Sequence, residues 1–237
     1  SLEDEMDLLP DLLKPSDRVI DIGANRGVYA YPLARLTANL ELFEPNPACA
    51  QILESWVARK PNVTLHPIAL SDQEGSAKLQ IPVDAAGVEH DASASIAQSS
   101  SGHCREQVVP LSTLDSFQFH QVALIKIDVE GHEWSVLQGA RNTITSDKPA
   151  LLIEIEKRHA SHRFLATFNW LHDQGYRSFF LDAGILKSID EFDVDRDQPI
   201  EHLGVTNAKY VNNFLFLHEI LLDNGSYAQL FDRWRPR

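Results

Sequence analysis

Short apolar runs alternate with stretches of helical spacing along this 237-residue chain, and that alternation leaves few folds open. Arg18 to Ile22, Leu40 to Phe43 and Val63 to His66 read as strands. Gly27 to Thr37 reads as a helix with Tyr29, Leu33 and Leu36 on one face and Pro32 near its first turn, where a missing N–H costs least. Ala48 to Val57 reads as the next helix, through Ile52, Leu53 and Trp56. Further on, Ala123 to Ile127, Pro149 to Ile155, Ser178 to Leu181 and Asn213 to Leu217 read as strands. Gly131 to Ile144 and a segment around Phe164, Phe168 and Leu171 read as helices. This order predicts an α/β fold, a parallel sheet with helices on both faces. The length suits one large domain over 1–237.

The rhythm breaks after the turn Ser71 to Gly75. Ala77, Leu79 and Ile81 alternate with Lys78 and Gln80, as in a half-exposed strand. Residues 84–105 are rich in Ala, Ser, Gly and His and read either as a disordered stretch or as a mobile lid. Residues 1–16 read as an N-terminal helical extension and 223–237 as a helical tail, where Tyr227, Leu230, Phe231 and Trp234 form one stripe expected to lie on the domain. The acidic run from Asp182 to Asp197 reads as a solvated face.

The formal charge of −13 argues against a nucleic-acid partner, which would be bound by clustered Lys and Arg. No apolar run is long enough for a membrane span. Two cysteines make no disulfide framework and the N-terminus is acidic, so a reducing, cytoplasmic setting is expected. The chain begins at Ser1 rather than Met, which reads as a trimmed chain or a piece of a longer protein. Its oligomeric state is not encoded in any motif.

Two turns carry the chemistry. In Val19-Ile20-Asp21-Ile22-Gly23-Ala24-Asn25-Arg26-Gly27, glycines between a strand and a helix let backbone approach a ligand, and the helix start offers free N–H groups. The G-x-G-x-x-G fingerprint is absent, since Asn25 and Val28 stand where it needs glycine, which disfavours a pyrophosphate. Glu44 follows the next strand, where an acid can take ribose hydroxyls, and Asp21 suits a cationic group such as a sulfonium. The second turn, Lys126-Ile127-Asp128-Val129-Glu130-Gly131-His132-Glu133, delivers acids and an imidazole to a strand end. Glu154-Ile155-Glu156-Lys157-Arg158-His159 does the same at the following strand.

These two turns, with Phe43-Glu44-Pro45-Asn46-Pro47 and Tyr210-Val211-Asn212-Asn213-Phe214-Leu215-Phe216, make the chain resemble the FkbM family of S-adenosylmethionine-dependent O-methyltransferases from about residue 17 to 217. The resemblance implies a class I methyltransferase (Rossmann-like) fold, its seven-stranded sheet parallel except for an antiparallel last strand. It implies methyl transfer to a hydroxyl of a sugar, a glycan or a polyketide-type metabolite. Asp21, Gly23, Asn25 and Gly27 would line the methionine side of the cofactor, Glu44 the ribose, and Ala69, Leu70 and Ser71 the adenine. Asp128 would border both cofactor and chemistry.

Methyl transfer to an alcohol needs the hydroxyl near attack distance and a base that takes its proton, a task that suits histidine near neutral pH. His132 and His159 are the candidate bases, with Asp128, Glu130, Glu154 and Glu156 as orienting or reacting acids. Asp128 with Glu154 is the pair to test for a divalent cation such as Mg²⁺. Glu133 reads as a helix cap. Two alternatives stand beside this reading: an NAD-dependent oxidoreductase using Glu44, and a non-catalytic glycan- or partner-binding domain of a larger protein.

Overall fold

The computed structural model describes residues 3–96, 103–159, 163–203, 205 and 208–234. The larger of two sheets contains β1 (Arg18–Ile22), β2 (Asn39–Phe43) and β3 (Val63–His66). The smaller contains β4 (Ala69–Leu70), β5 (Gly75–Pro82) and β6 (Cys104–Ser112). The chain then returns to the larger sheet with β7 (Val122–Ile127), β8 (Ala150–Glu154), β9 (Tyr176–Asp182), β10 (Ile185–Ser188) and β11 (Asn213–His218). The order across the large sheet is β10-β9-β11-β8-β7-β1-β2-β3. The pairs from β3 to β8 are parallel, and β11 enters antiparallel between β8 and β9.

Both faces of this sheet are covered, which is why its central strands are nearly continuous apolar runs. Ile20, Ile22, Ile125, Ile127 and Ile153 face one core layer with Val136, Leu137 and Phe168. Val19, Leu124, Leu152 and Leu215 face the other, with Leu8, Leu9 and Leu33. Each such side chain contributes about 1.5–3 kcal/mol through burial. Tyr227, Leu230, Phe231 and Trp234 lie against the second layer, and Trp234 Nε1 donates to Asp11 at 2.9 Å.

Two details depart from the sequence reading. The large sheet has eight strands rather than seven, because Ala183 and Gly184, both at positive φ, turn β9 back into β10. The helix expected over Gly131 to Ile144 is two helices, Glu133–Gly139 and Arg141–Asp147. The chain bends there because Gly139 lies against the Ser71 carbonyl, where a Cβ would stand 1.9 Å from the oxygen. Asp115 then starts the second helix, accepting from Asn142 N and Thr143 N at 2.9 Å each. The segment 84–105, expected as a disordered stretch or a mobile lid, is described over 84–96 and 103–105. Its described part is pinned by bridges Gln80–Ser95 and Val83–Glu89, and Cys104 already belongs to β6, while 97–102 lies outside the described residues.

Candidate active site

The first and fourth strands of the parallel core end side by side, and their turns dock backbone to backbone. Asp128 N donates to Ile22 O at 3.0 Å. Gly23 sits so close that a Cβ on it would stand 1.8 Å from the Asp128 carbonyl oxygen, and its φ of +84° is one that L side chains rarely adopt. Gly23 N and Ala24 N both donate to Phe43 O. Glu44 completes the wiring, accepting from Asn25 N at 2.6 Å and from Asn46 N at 2.7 Å. Burial pushes Glu44 up to about 7 against those two hydrogen bonds.

A cavity of about 1000 Å³ opens above these turns. Asp21, Gly23, Asn25, Glu44, Ala69, Leu70 and Asp128 line it. Gly27 and Ser71, the other two residues expected at the cofactor, stand just behind: Gly27 against the Tyr31 ring, and Ser71 buried and bonded to His132. Asp21 is 2% exposed, and its Oδ2 has no hydrogen-bond partner. Burial pushes this carboxyl up to about 7, with Lys126 the chief opposing influence.

The expected acid/base residues divide into two groups. Asp128, Glu130, His132 and Glu154 line the cavity. His132 Nε2 lies 2.9 Å from Ser71 Oγ, on the side of Ala69 and Leu70, and burial lowers its pKa. His159 stands behind Glu130, its Nε2 3.0 Å from Glu130 Oε2. Glu156 is 4% exposed and is held by Arg158 and by Tyr210 Oη, which donates at 2.6 Å. Burial would raise its pKa, but these two partners outweigh it and hold the group low. Burial and then the Asp128 charge push Glu154 up, and Glu154 accepts from Asn212 Nδ2 at 2.6 Å. Glu133 accepts from Gly131 N at 2.7 Å, as a cap does.

For a metal, the described side chains whose ligand atoms converge are Glu130, Glu156 and His159, all within 4.8 Å of one another. They do not fit an ion, because the Arg158 guanidinium already occupies them, bonded to Glu156 and 3.7 Å from Glu130. Asp128 and Glu154, the pair expected from sequence, stand near enough for the Asp128 charge to raise Glu154, with Lys126 3.8 Å from Asp128 and Asn212 bonded to Glu154. No step is therefore routed through a metal.

Sequence reasoning passed over Lys126, Arg158 and Tyr210. The signal for Lys126 was present: a lysine inside the apolar strand Val122–Ile127, two residues before Asp128 and so on the same face. Arg158 stands two residues after Glu156, within the motif already singled out, whereas only the fold brings Tyr210 to Glu156. The segment 84–96 also reaches the site. Asp91 accepts from Arg26 Nη2 at 2.5 Å and from Asn46 Nδ2 at 2.9 Å, and Ser95 Oγ donates to the Glu130 carbonyl at 2.7 Å.

The family model for the methyltransferase FkbM domain matches residues 21–178. The hexuronic acid methyltransferase AglP of Haloferax volcanii is 29% identical over 146 residues, 61% of this chain and 58% of that protein. Among solved structures, the FkbM methyltransferase of Methylobacillus flagellatus KT superposes with a TM-score of 0.56 at 18% identity, over 87% of this chain and 47% of that one. A Streptococcus mutans protein described as a methyltransferase, in complex with SAH, gives 0.52 at 10% identity over 91% and 96%. A Clostridium thermocellum protein described as an rRNA methylase gives 0.51 at 10% over 92% and 96%. These structural likenesses speak for the class I methyltransferase fold alone, and the chain spans about half the length of its FkbM relatives. With the domain model covering both chemical turns, the chain belongs to the FkbM methyltransferase family.

Proposed function

We propose that this chain is an S-adenosylmethionine-dependent O-methyltransferase acting on a hydroxyl of a sugar, a glycan or a polyketide-type metabolite. One observation carries the reading: Asp21 offers a buried carboxylate oxygen without a partner to the cavity that Gly23, Asn25 and Glu44 frame. An unpaired buried carboxylate is costly unless a ligand completes it, and the cofactor's ammonium is such a ligand. Glu44 keeps free lone pairs for ribose hydroxyls after its two backbone contacts. When bound, S-adenosylmethionine supplies an electrophilic methyl carbon on a sulfonium.

This chain's residues then have two tasks. Asp128, Glu154 and Asn212 hold the acceptor hydroxyl for in-line attack, in which the O–CH₃ bond forms as the S–CH₃ bond breaks. The hydroxyl proton passes to His132, which burial keeps neutral, or to Glu130 backed by His159. The sugar-type acceptor is supported by the hexuronic acid methyltransferase among the relatives. The charge of −13 disfavours a nucleic-acid acceptor, although the fold itself is shared with rRNA methylases. No helix among the described residues is long and apolar enough to cross a membrane. A cytoplasmic setting is part of the same proposal. Nothing in the site favours a nicotinamide cofactor.

Transfer of labelled methyl from S-adenosylmethionine to a panel of neutral sugars, hexuronates and hydroxylated macrolides tests the reading, with transfer to at least one sugar expected. Transfer to RNA alone, or failure to bind S-adenosylhomocysteine, would sink it. Full activity in the His132→Ala, His159→Ala double variant would remove the assigned bases.

A further inference from the structure

Lys126 is 1% exposed, on the floor of the cavity, in a strand position flanked on the same face by Leu124, Leu152 and Leu215. An aliphatic side chain would fill that position without desolvating a charge, so the ammonium calls for a function. Its Nζ donates to Asn213 Oδ1 at 3.0 Å, stands 3.8 Å from Asp128 Oδ2, and lies 4.8 Å over the Tyr29 ring. Lys126 is also the register partner of Asp21 across β1 and β7, and paired residues of parallel strands leave the same face of a sheet. One cation thus stands between the two turns that the cofactor must touch.

We propose that Lys126 is the positioning residue of the cofactor site: its ammonium, beside Asp128 and on the same sheet face as Asp21, favours both as carboxylates ready to receive the cofactor's cationic groups. The surrounding charges make this necessary. Asp21 is faced by Asp128, Glu44 and Glu3 as well as by Lys126; Lys126 is faced by Asp128, Glu154, Glu3 and Asp21. Lys126 is thus the cation facing Asp21 among several acids. Burial lowers the Lys126 pKa, but the charges of Asp128, Glu154, Glu3 and Asp21 together outweigh it and raise the pKa. Asp21, pushed up to about 7, is therefore poised at the edge of ionisation. Removing the cation moves that edge upward, because a carboxylate without a neighbouring positive charge protonates more readily.

The inference rests on the methyltransferase reading, and its test uses cofactor binding alone, so that a missing acceptor and a wrong role for Lys126 give different results. Calorimetric affinity for S-adenosylhomocysteine is measured from pH 6 to pH 8.5 in the whole chain. The wild type is expected to tighten as pH rises through about 7. In Lys126→Met the midpoint moves up by about one pH unit, which weakens binding about fivefold at pH 7 while leaving it within about twofold of wild type at pH 8.5. Asn213→Leu keeps the lysine and frees it, and is expected to move the midpoint the same way by less, so a Lys126→Met protein that fails to fold leaves the test standing. Superimposable pH curves, or binding weakened equally at every pH, would overturn the proposal and leave Lys126 as a packing residue. In an Asp21→Asn background Lys126→Met should no longer move the midpoint, whatever pH dependence Glu44 leaves, and a shift that persists there would equally overturn it. If binding behaves as expected and no sugar is methylated, the acceptor assignment fails while the role of Lys126 stands.

Discussion

The two ends of the cavity are built differently. At the proposed cofactor end, backbone meets backbone or a carboxylate meets backbone N–H: Gly23 against the Asp128 carbonyl, Glu44 on Asn25 N and Asn46 N. At the other end, side chains hold side chains: Arg158 and Tyr210 on Glu156, His159 on Glu130, Asn212 on Glu154, and Lys209 between Asp182 at 2.9 Å and Asp197 at 2.7 Å. Backbone wiring tolerates few substitutions because the fold itself sets it. Side-chain wiring can be rebuilt one residue at a time without moving a strand. This architecture allows one cofactor to be kept while acceptors diverge.

The contrast can be broken most forcefully at Gly23. Gly23→Ala places a Cβ into the Asp128 carbonyl at a left-handed φ, and we expect loss of cofactor binding with destabilisation of about 2–4 kcal/mol, read by thermal melting. A near-normal melting temperature with intact binding would mean that the two turns are not locked together. Next in size, Glu156→Gln disarms Arg158 and Tyr210; turnover should fall about 10- to 100-fold while S-adenosylhomocysteine affinity stays within about threefold. Equal loss of both would erase the division of labour between the two ends.

A third test reads pH. Asp21, Glu44 and Glu133 are each pushed to about 7 by burial, above their unfolded values near 4. A carboxyl raised in the folded state adds stability that is fully present below its unfolded pKa and is lost as pH rises through its folded one. The empty protein should therefore melt at a lower temperature at pH 8 than at pH 5. Asp182 and Asp197 are held low by Lys187 and Arg196 respectively, with Lys209 helping in both cases, so their contribution is lost only as pH falls below about 4, outside that window. A flat melting curve from pH 5 to pH 8 would contradict the burial of the cofactor-end acids. The smallest effect is expected from Lys209→Met, which should change acceptor KM about three- to tenfold and leave cofactor affinity unchanged.

Much of this was legible in the chain because it is local. Strand, glycine turn and acid occur within a few residues around Asp21, Glu44 and Asp128, and apolar alternation revealed the parallel core. The tenth strand was not, since Asp182-Ala183-Gly184 sits in a run whose acids read as solvent-facing. The break at Gly139 depends on Ser71, 68 residues away in sequence and in contact only through the fold. The imidazole of His132 shows the same limit. Its proximity to acids in sequence suggested chemistry, whereas its partner in space is the Ser71 hydroxyl.

The segment from Asp84 to Ile96 is held by two unlike fastenings. Asp91 ties it to Arg26 and Asn46 beside the Gly23 turn, and Ser95 ties it to Glu130 beside the acids, so residues 91–96 are fastened to both turns and Asp91, Ala94 and Ile96 line the cavity. Arg26 is exposed, so its grip on Asp91 weakens as salt screens it. The charged Arg26 fastening is therefore expected to loosen with ionic strength before the uncharged Ser95 hydrogen bond does.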